Sequence, residues 1–288
     1  MTATLSLQHA SLRCDLAPAL GGSIAGLWLD DIPVLRSTPG QALRQARLAG
    51  SYPLVPFSNR IGQATFSWAG QRHSLLPNNP PEPHAIHGVG WQHPWTVLQA
   101  DAQWAQLTYR HHADGGWPFA FAAEQVIELS DHGLSLRMTL TNQSDAPMPG
   151  GLGWHPFFVK RPGSHLRFAA SGRWEMDAAK LPTHRLPVPG LDTDCAKLEV
   201  DHCFDGWPGV VQLDDALLRT RISANLQRLV VFTNPSRDFV AIEPVSHVNN
   251  AIQLMQATAT SADALGLTVL QPGESMSAHM QIHIEHQT

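Results

Sequence analysis

The sequence predicts an all-β fold built from antiparallel strands. Short runs in which apolar and polar residues alternate occur along the whole chain, and a period of two is typical of half-buried strands. Twenty-two glycines and 22 prolines separate these runs, as expected for many short strands joined by turns. Only two segments, residues 41–49 and 261–265, have a pattern that favours a short helix.

The clearest predicted hairpin joins residues 125–129 to residues 134–141 through the turn sequence Ser130-Asp131-His132-Gly133. Further strands are expected at residues 64–68, 95–98, 106–111, 219–222 and 279–284. The proline-rich stretch 181–197 is expected to be a long surface loop. Since no repeat or linker interrupts the chain, we expect a single domain over residues 1–288 with two large sheets packed face to face.

Composition excludes several classes of function. The net charge of −5 argues against a nucleic-acid partner, which requires a basic face. The three cysteines, Cys14, Cys195 and Cys203, have no CxxC spacing, so a disulfide framework is not expected. The sequence shows neither a signal peptide nor a run of about 18 apolar residues. These observations predict a cytoplasmic protein without a membrane partner.

Glu243 is a carboxylate within an apolar strand. Residues 229–232, the turn Asn234-Pro235-Ser236-Arg237-Asp238 and residues 239–245 predict a strand, a turn and a second strand. Strand alternation places Glu243 on the face of Ala241 and Val245. Burying an unpaired carboxylate is costly, so Glu243 is expected to reach a cleft or to be held there for chemistry. A half-exposed glutamate in a salt bridge is the alternative.

His155 is the second candidate. It precedes Pro156, and Glu243 precedes Pro244, so both are biased to extended backbone. Two titratable side chains held on stiff extended backbone suit a general acid and a general base. A hydrogen-bonded structural histidine is the alternative for His155.

Sixteen histidines raise the question of a metal site. The closest pairs are His84 with His87 and His111 with His112, and on a strand the first pair would face opposite sides. Neither an HExxH nor a CxxC motif is present, so no metal site is predicted. A serine hydrolase is disfavoured because the chain lacks GxSxG.

Five segments carry a family resemblance. In chain order they are Asn59-Arg60-Ile61 with the later Gly70, Ile86-His87-Gly88-Val89, Trp154-His155-Pro156-Phe157-Phe158, Asp201-His202-Cys203-Phe204 and Ile242-Glu243-Pro244. They resemble, in order and over roughly residues 20–280, the motifs of the aldose 1-epimerase (galactose mutarotase) family. Val89 replaces the second glycine of the family's L-H-G-G motif. The ending Pro244-Val245-Ser246-His247 resembles a bacterial branch, which leaves the sugar open.

The resemblance implies a β-supersandwich, no cofactor, and interconversion of the α and β anomers of free aldoses. By position, it implies that Glu243 is the base and His155 the acid. It further implies that Arg60, His87 and Asp201 bind the sugar, and that Asn59 supports Arg60 or the ligand. The expected partner is a small sugar, and the expected assembly is a monomer or homodimer. The alternatives for these four residues are ordinary turns, a surface cation and a strand-end cap.

Two rival functions follow from the same residues. A hexose-6-phosphate mutarotase needs a cationic phosphate clamp, and Arg44, Arg47 and Arg237 are isolated along the chain. A non-catalytic sugar-binding or sensor protein would need neither an acid nor a base, so the presence of both Glu243 and His155 favours an enzyme. The aromatic residues expected to stack on a sugar are Trp91, Phe157 and Phe204, whereas Trp154 is expected to point into the core.

Overall fold

A computed structural model describes residues 4–39 and 42–287. The strands of the N-terminal third are β1 (Leu5–His9), β2 (Leu12–Ala17), β3 (Ser23–Leu29), β4 (Ile32–Pro33), β5 (Pro53–Leu54), β6 (Arg60–Ile61), β7 (Thr65–Trp68), β8 (Gln71–Ser74) and β9 (Ala85–Ile86). The middle of the chain forms β10 (Thr96–Ala100), β11 (Trp104–His111), β12 (Phe121–Ser130), β13 (Gly133–Asn142), β14 (Met148–Gly150), β15 (Gly153–Trp154), β16 (Phe157–Val159), β17 (His165–Ala169) and β18 (Gly172–Met176).

The C-terminal third forms β19 (Pro182–Leu186), β20 (Gly190–Asp194), β21 (Val200–Asp205), β22 (Val210–Asp214), β23 (Leu218–Ala224), β24 (Arg228–Thr233), β25 (Phe239–Val245), β26 (Thr268–Leu270) and β27 (Ser275–His286). Among the described residues there is one α-helix, α1 (Ala251–Thr258). Short 3₁₀ turns lie at Ala46–Leu48, Gly62–Ala64, Gly90–Gln92 and Asp263–Leu265.

Two large antiparallel sheets dominate the fold and confirm the predicted all-β class. One has nine strands in the order β10-β11-β12-β13-β27-β23-β22-β17-β20. The other has eight strands, with β19-β18-β21-β24-β25-β15-β5 in sequence and β16 paired beside β15 on β25. The predicted hairpin is β12–β13, in which Ser130 pairs with Gly133. The predicted strand, turn and strand around residues 234–238 are β24 and β25.

Buried apolar side chains from both sheets form one continuous core. A buried hydrogen bond also connects the sheets, because Trp154 Nε1 donates to Gln125 Oε1 over 3.0 Å. Gln125 in turn donates from Nε2 to the carbonyl of Gly22 over 3.1 Å. Trp154 is 1% exposed, which confirms its expected position in the core. This indole fixes the strand that leads into His155.

The local structure departs from the sequence-based predictions at three places. Residues 181–197 contain β19 and β20, which are the outermost strands of the two large sheets. The proline-rich composition suggested a loop here. Proline is also compatible with an edge strand, because one side of an edge strand's backbone needs no hydrogen-bonded partner in the sheet. The second is α1, which the sequence pattern did not indicate. The helices expected at 41–49 and 261–265 reduce to 3₁₀ turns in their described parts, with Gln41 outside the described residues.

The three cysteines are unpaired and buried. Burial raises the pKa of the Cys195 thiol to about 11 and that of Cys203 to about 12, and it raises the pKa of Cys14 still further. All three are therefore protonated thiols at neutral pH.

Gln125→Ala is expected to lower the free energy of unfolding by at least about 2 kcal/mol. It leaves the buried Trp154 N–H and the Gly22 carbonyl without partners, and each orphaned group costs roughly 1–3 kcal/mol. Urea denaturation measures this difference. Gln106→Ala, on the neighbouring strand with an exposed contact to Glu124, is the control and should cost under about 0.5 kcal/mol. Equal losses for both variants would contradict a structural role for Gln125.

Candidate functional site

The candidate site lies on one face of the eight-stranded sheet. Glu243 in β25 pairs with Val230 in β24, and Val230 pairs with Cys203 in β21. Asp201 precedes Cys203 by two residues, so strand alternation puts Asp201 on the same face as Glu243. Phe157 pairs with Ala241, one row away on that face.

His155 and Glu243 are in contact. The Nε2 atom of His155 lies 3.1 Å from Oε1 of Glu243, and both side chains are buried. The backbone N–H of His155 donates to the carbonyl of Tyr52 over 3.0 Å, which fixes the histidine between β15 and β16. Within the described structure, Nδ1 of His155 and Oε2 of Glu243 are buried without a hydrogen-bond partner. The pair therefore has one carboxylate oxygen and one ring nitrogen whose hydrogen-bonding capacity is not used within the described structure.

Burial changes the pKa of both groups in opposite directions. It raises the pKa of Glu243 well above its usual range, and the nearby Asp201 carboxylate raises it further while Arg60 opposes this. Burial lowers the pKa of His155 to about 3, and the positive charge of Arg36 contributes to the lowering. At any pH between the pKa of His155 and that of Glu243, the two side chains together hold one proton. Since the two groups are coupled, that proton belongs to the pair rather than to one residue.

Backbone hydrogen bonds fix the tautomer of His87. Asn59 donates its backbone N–H to Nδ1 of His87 over 3.1 Å, and His87 donates its own backbone N–H to the carbonyl of Asn59 over 2.9 Å. An Nδ1 that accepts a hydrogen bond leaves the proton of neutral imidazole on Nε2. Burial lowers the pKa of His87 well below the usual value, so the ring is neutral. His87 therefore presents an Nε2–H donor.

Close backbone packing holds this loop in place. Gly88 has φ = +68°, and a Cβ at this position would lie 2.1 Å from the carbonyl oxygen of Val55. Only glycine fits such a contact in this conformation. Asn59 and His87 also have positive φ, at 53° and 61°. The His-Gly segment singled out in the sequence is thus a turn whose shape aims the His87 ring.

Arg60 is fixed by a residue that sequence reasoning missed. Its Nε and Nη2 atoms donate to the two carboxylate oxygens of Glu82 over 2.8 and 3.0 Å. Asn59 Oδ1 accepts from the backbone N–H of Arg60 over 2.9 Å and from its Nη1 over 3.4 Å. Glu82 lies in a Pro-rich segment without a strand pattern, so no local signal marked it. Asn59 connects both the guanidinium and the His87 ring.

Asp201 lies at the more exposed edge of the site. Its Oδ2 atom is 3.3 Å from Nζ of Lys180, and the two side chains are 28% and 50% exposed. The turn that carries Lys180 is tied to the Arg60 loop by His84. Nδ1 of His84 accepts from the N–H of Gln63 and Nε2 contacts the carbonyl of Ala179, each over 3.0 Å. His84 thus has a structural role.

A column of rings and one cation supports the histidine. The ring of His155 stacks on Phe157 at 4.3 Å and packs against Tyr52 at 4.8 Å. Arg36 covers Phe157 at 3.8 Å and is itself held by the carbonyl of Ala49, 2.7 Å from Nη2. Phe157, one of the aromatic residues expected near the sugar, thus lies directly beside His155. Tyr52 and Arg36 were not identified from the sequence, because neither belongs to a patterned segment.

Of the other expected stacking residues, Trp91 packs against Tyr52 at 5.5 Å, near the site. Phe204 is a wrong assignment. It pairs with Leu229 in the alternate register, so it points away from Glu243 and packs edge-on against Phe168 at 4.9 Å in the core.

The structure brings together three groups with the chemistry of metal ligands. One donor atom each from His87, His155 and Glu243 lies within 4.8 Å of the others. The tautomer of His87 opposes coordination, however, because its Nδ1 accepts from Asn59 and its Nε2 therefore carries a proton. A histidine ligand needs a bare nitrogen toward the metal. The cluster is better suited to hydroxyl groups, which accept from His87 and donate to Glu243.

Within the described part of the chain, the longest helix has eight residues, and no helix combines the length and apolar character needed to cross a membrane.

Comparison with known proteins identifies relatives along nearly the full length. The model of the aldose 1-epimerase family matches residues 3–283. YphB of Escherichia coli K12 is 29% identical over 97% of this chain and 98% of its own. YihR of the same organism is 26% identical over 69% of this chain and 70% of its own.

Solved structures share the fold. A candidate aldose 1-epimerase from Escherichia coli K12 superposes with a TM-score of 0.88 at 26% identity, covering 99% of both chains. A galactose mutarotase-like protein from Clostridium acetobutylicum has a TM-score of 0.86 at 18% identity, covering 99% of this chain and 95% of its own. The galactose 1-epimerase of Lactobacillus acidophilus has a TM-score of 0.80 at 17% identity, with the same coverage.

The ring of His87 is expected to remain neutral, with its proton on Nε2, throughout the neutral pH range. Its burial and the Asn59 N–H donor both disfavour imidazolium. Nitrogen-15 chemical shifts of the imidazole, recorded from pH ~5 to ~8 around the ordinary histidine pKa of ~6.5, measure both properties. A proton on Nδ1 of His87 would refute the tautomer and restore the cluster as a metal centre.

Proposed function

Because the chain belongs to the aldose 1-epimerase family, we propose that it interconverts the α and β anomers of an aldose. The observation that carries the proposal is the buried contact of 3.1 Å between His155 Nε2 and Glu243 Oε1. Opening a cyclic hemiacetal removes a proton from one oxygen and adds a proton to another. A carboxylate and an imidazole that share one proton suit both transfers.

In the proposed reaction Glu243 accepts the proton of the O1 hydroxyl while His155 donates a proton to the ring oxygen O5. The C1–O5 bond breaks, and its electron pair goes to O5 as the C1=O1 bond forms. Rotation about C1–C2 then turns the other face of the aldehyde toward O5. Ring closure reverses both proton transfers, so the pair ends each cycle with the single proton it began with.

The reactive proton arrangement has Glu243 ionised and His155 protonated. It differs from the uncharged arrangement only by movement of one proton across the 3.1 Å contact. Arg60 favours the Glu243 carboxylate because its positive charge lowers the pKa of this group. We propose that sugar hydroxyls, placed against Oε2 of Glu243, complete this stabilisation. A preorganised cation and donors of this kind supply the larger electrostatic part of catalysis.

The remaining predicted residues have proposed roles in binding. The Nε2–H of His87 and the guanidinium of Arg60 are donors suited to sugar oxygens, including the ring oxygen as charge develops. Asp201 is an acceptor for sugar hydroxyls. Asn59 positions both donors, since it bonds to the His87 ring and to Arg60. Trp91 is the aromatic residue proposed to lie along the sugar, because the Phe157 ring is already in contact with His155 and Arg36.

Glu243→Gln and His155→Gln are each expected to lower the rate of mutarotation by about 10²- to 10⁴-fold, the usual contribution of a positioned base or acid. Polarimetry on freshly dissolved aldoses measures the rate after subtraction of the spontaneous reaction. Glu128→Gln, on an exposed position of β12, is the control and should retain activity. Thermal melts confirm that each variant is folded. If Glu243→Gln kept near wild-type rates, another carboxylate would be the base, with Asp201 the first candidate.

The pH dependence of kcat/KM is expected to be bell-shaped and wide. The acid limb reports a second proton binding to the pair, and the lowered pKa of His155 places it near pH 3. The alkaline limb reports loss of the shared proton, and the raised pKa of Glu243 places this limb well above the usual range of a glutamate. Activity is therefore present between the two limbs and lost outside them.

Initial rates at each pH, with circular dichroism to detect acid unfolding, measure the limbs. An acid limb centred near pH ~6.5, the ordinary value for histidine, would contradict the one-proton pair. His155→Gln should remove the alkaline limb and move the acid limb to higher pH, because the residual activity then depends only on ionised Glu243, whose pKa is raised by burial.

A further inference from the structure

We infer that the aldose bound here carries an anionic group on the end remote from C1, and that Arg44 and Arg47 bind this group. The inference rests on the proposed function and specifies its substrate class. Arg44 and Arg47 are isolated along the chain, but the structure places them on the wall of one pocket of about 320 Å³. Arg44 and Arg47 are therefore neighbours in the fold and can form a cationic clamp, which their sequence context did not indicate.

The charge of this pocket is positive. Its lining is Leu20, Arg44, Gln45, Ala46, Arg47, Asn78, Pro80, Trp91 and Gln92. It thus combines two guanidinium groups with three amide side chains and one indole, and it contains no carboxylate. Guanidinium groups bind phosphate and carboxylate groups through paired, charge-assisted hydrogen bonds. The side-chain amides of Gln45 and Gln92 are further donors suited to such an anion, whereas the Nδ2 group of Asn78 donates to Ile86 and Gly88.

Arg47 has neutral partners. Its Nε donates to Oε1 of Gln45 over 2.7 Å and its Nη1 donates to Oδ1 of Asn79 over 3.3 Å. Of the carboxylates in the described residues, none lies within ion-pair distance of Arg47. Its positive charge is consequently available to a ligand.

The pocket adjoins the acid–base pair. Trp91 lines the pocket and packs on Tyr52 at 5.5 Å, and Tyr52 packs on His155 at 4.8 Å. The charge of Arg47 also reaches Tyr52, because it contributes to lowering the pKa of that hydroxyl against the effect of burial. The pocket is thus separated from His155 by the rings of Trp91 and Tyr52. In the inferred complex, C1 of the aldose lies at the acid–base pair and its far end is directed toward this pocket.

Asn78 connects the pocket to the His87 loop. Its Nδ2 donates to the carbonyls of Ile86 and Gly88 over 2.9 and 3.2 Å, and its Oδ1 accepts from the N–H of Ile86 over 2.7 Å. The wall of the pocket that carries Asn78 is therefore hydrogen-bonded directly to the loop that aims His87.

The pocket beside Asp201 has a different charge. It is lined by Asp177, Glu199 and Asp201, with Lys180 the one cationic lysine or arginine among the lining residues. An anion is disfavoured beside three carboxylates, whereas neutral hydroxyl groups are suitable ligands for them. The charge distribution of the two pockets directs an anionic group to Arg44 and Arg47.

The test compares glucose, glucose 6-phosphate and glucuronate. At the end remote from C1, glucose carries no anionic group, glucose 6-phosphate carries a phosphate and glucuronate carries a carboxylate. Mutarotation rates, corrected for the spontaneous reaction of each sugar, give kcat/KM. We expect at least one anionic sugar to exceed glucose by about tenfold or more, the difference that one charge-assisted hydrogen bond can provide. A preference for the phosphate or for the carboxylate identifies the source of the anion.

Arg47→Gln and Arg44→Gln should each raise KM for the preferred anionic sugar about tenfold more than KM for glucose. Added salt should have the same selective effect, because it screens the attraction. Arg72→Gln, an exposed arginine in β8 outside this pocket, is the matched control and should leave the ratio unchanged. Equal kinetics for all three sugars, or an unchanged ratio in both pocket variants, would overturn the inference while leaving the proposed function intact.

If none of the sugars reacts, the proposed function fails, and calorimetric titration with glucose 6-phosphate and glucuronate decides the inference separately. Binding that Arg47→Gln weakens about tenfold, and that Arg72→Gln does not, would support the anion site. Absence of binding would overturn it.

Discussion

The burial of Glu243 is the constraint on which the rest of the site depends. A lone carboxylate in the middle of an apolar sheet would cost several kcal/mol if it stayed ionised without partners. Its cost is limited here because His155 approaches to 3.1 Å and the pair retains a proton. Maintaining that contact requires His155 to be immobile. Its backbone bond to Tyr52, the Phe157 ring beneath it and the Trp154 indole before it all serve this requirement.

Much of the fold could be predicted from the sequence, because strand alternation and turn residues are local signals. The β12–β13 hairpin, the β24–β25 unit and the core position of Trp154 were all predicted correctly. The wrong predictions occur where one local sequence pattern is compatible with two different structures. Prolines suggested a loop at residues 181–197, whereas they lie in and around two edge strands. Phe204 belongs to the Asp201 segment but lies on the opposite face of the sheet from Asp201, because it is three residues away and strand residues alternate.

The partners within the site could not be predicted, because they come from distant parts of the chain. Glu82 holds Arg60 from 22 residues away, and Arg36 reaches Phe157 across the sheet. No pattern in a proline-rich loop marks a residue such as Glu82. The tautomer of His87 depends likewise on a single backbone N–H that only the folded loop supplies. The sequence motifs identified candidate residues, whereas the contacts in the folded chain define the protonation and orientation of those residues.

The three sulfhydryl groups have a practical consequence for labelling. Thiol reagents attack the thiolate at accessible positions, and Cys14, Cys195 and Cys203 are buried and protonated. The folded protein is therefore inert toward maleimides without any cysteine being removed. A cysteine introduced at the half-exposed position 180 would be the single reactive attachment point for a fluorophore. Such a reporter would lie beside Asp201 and sense the arrival of a ligand at the rim.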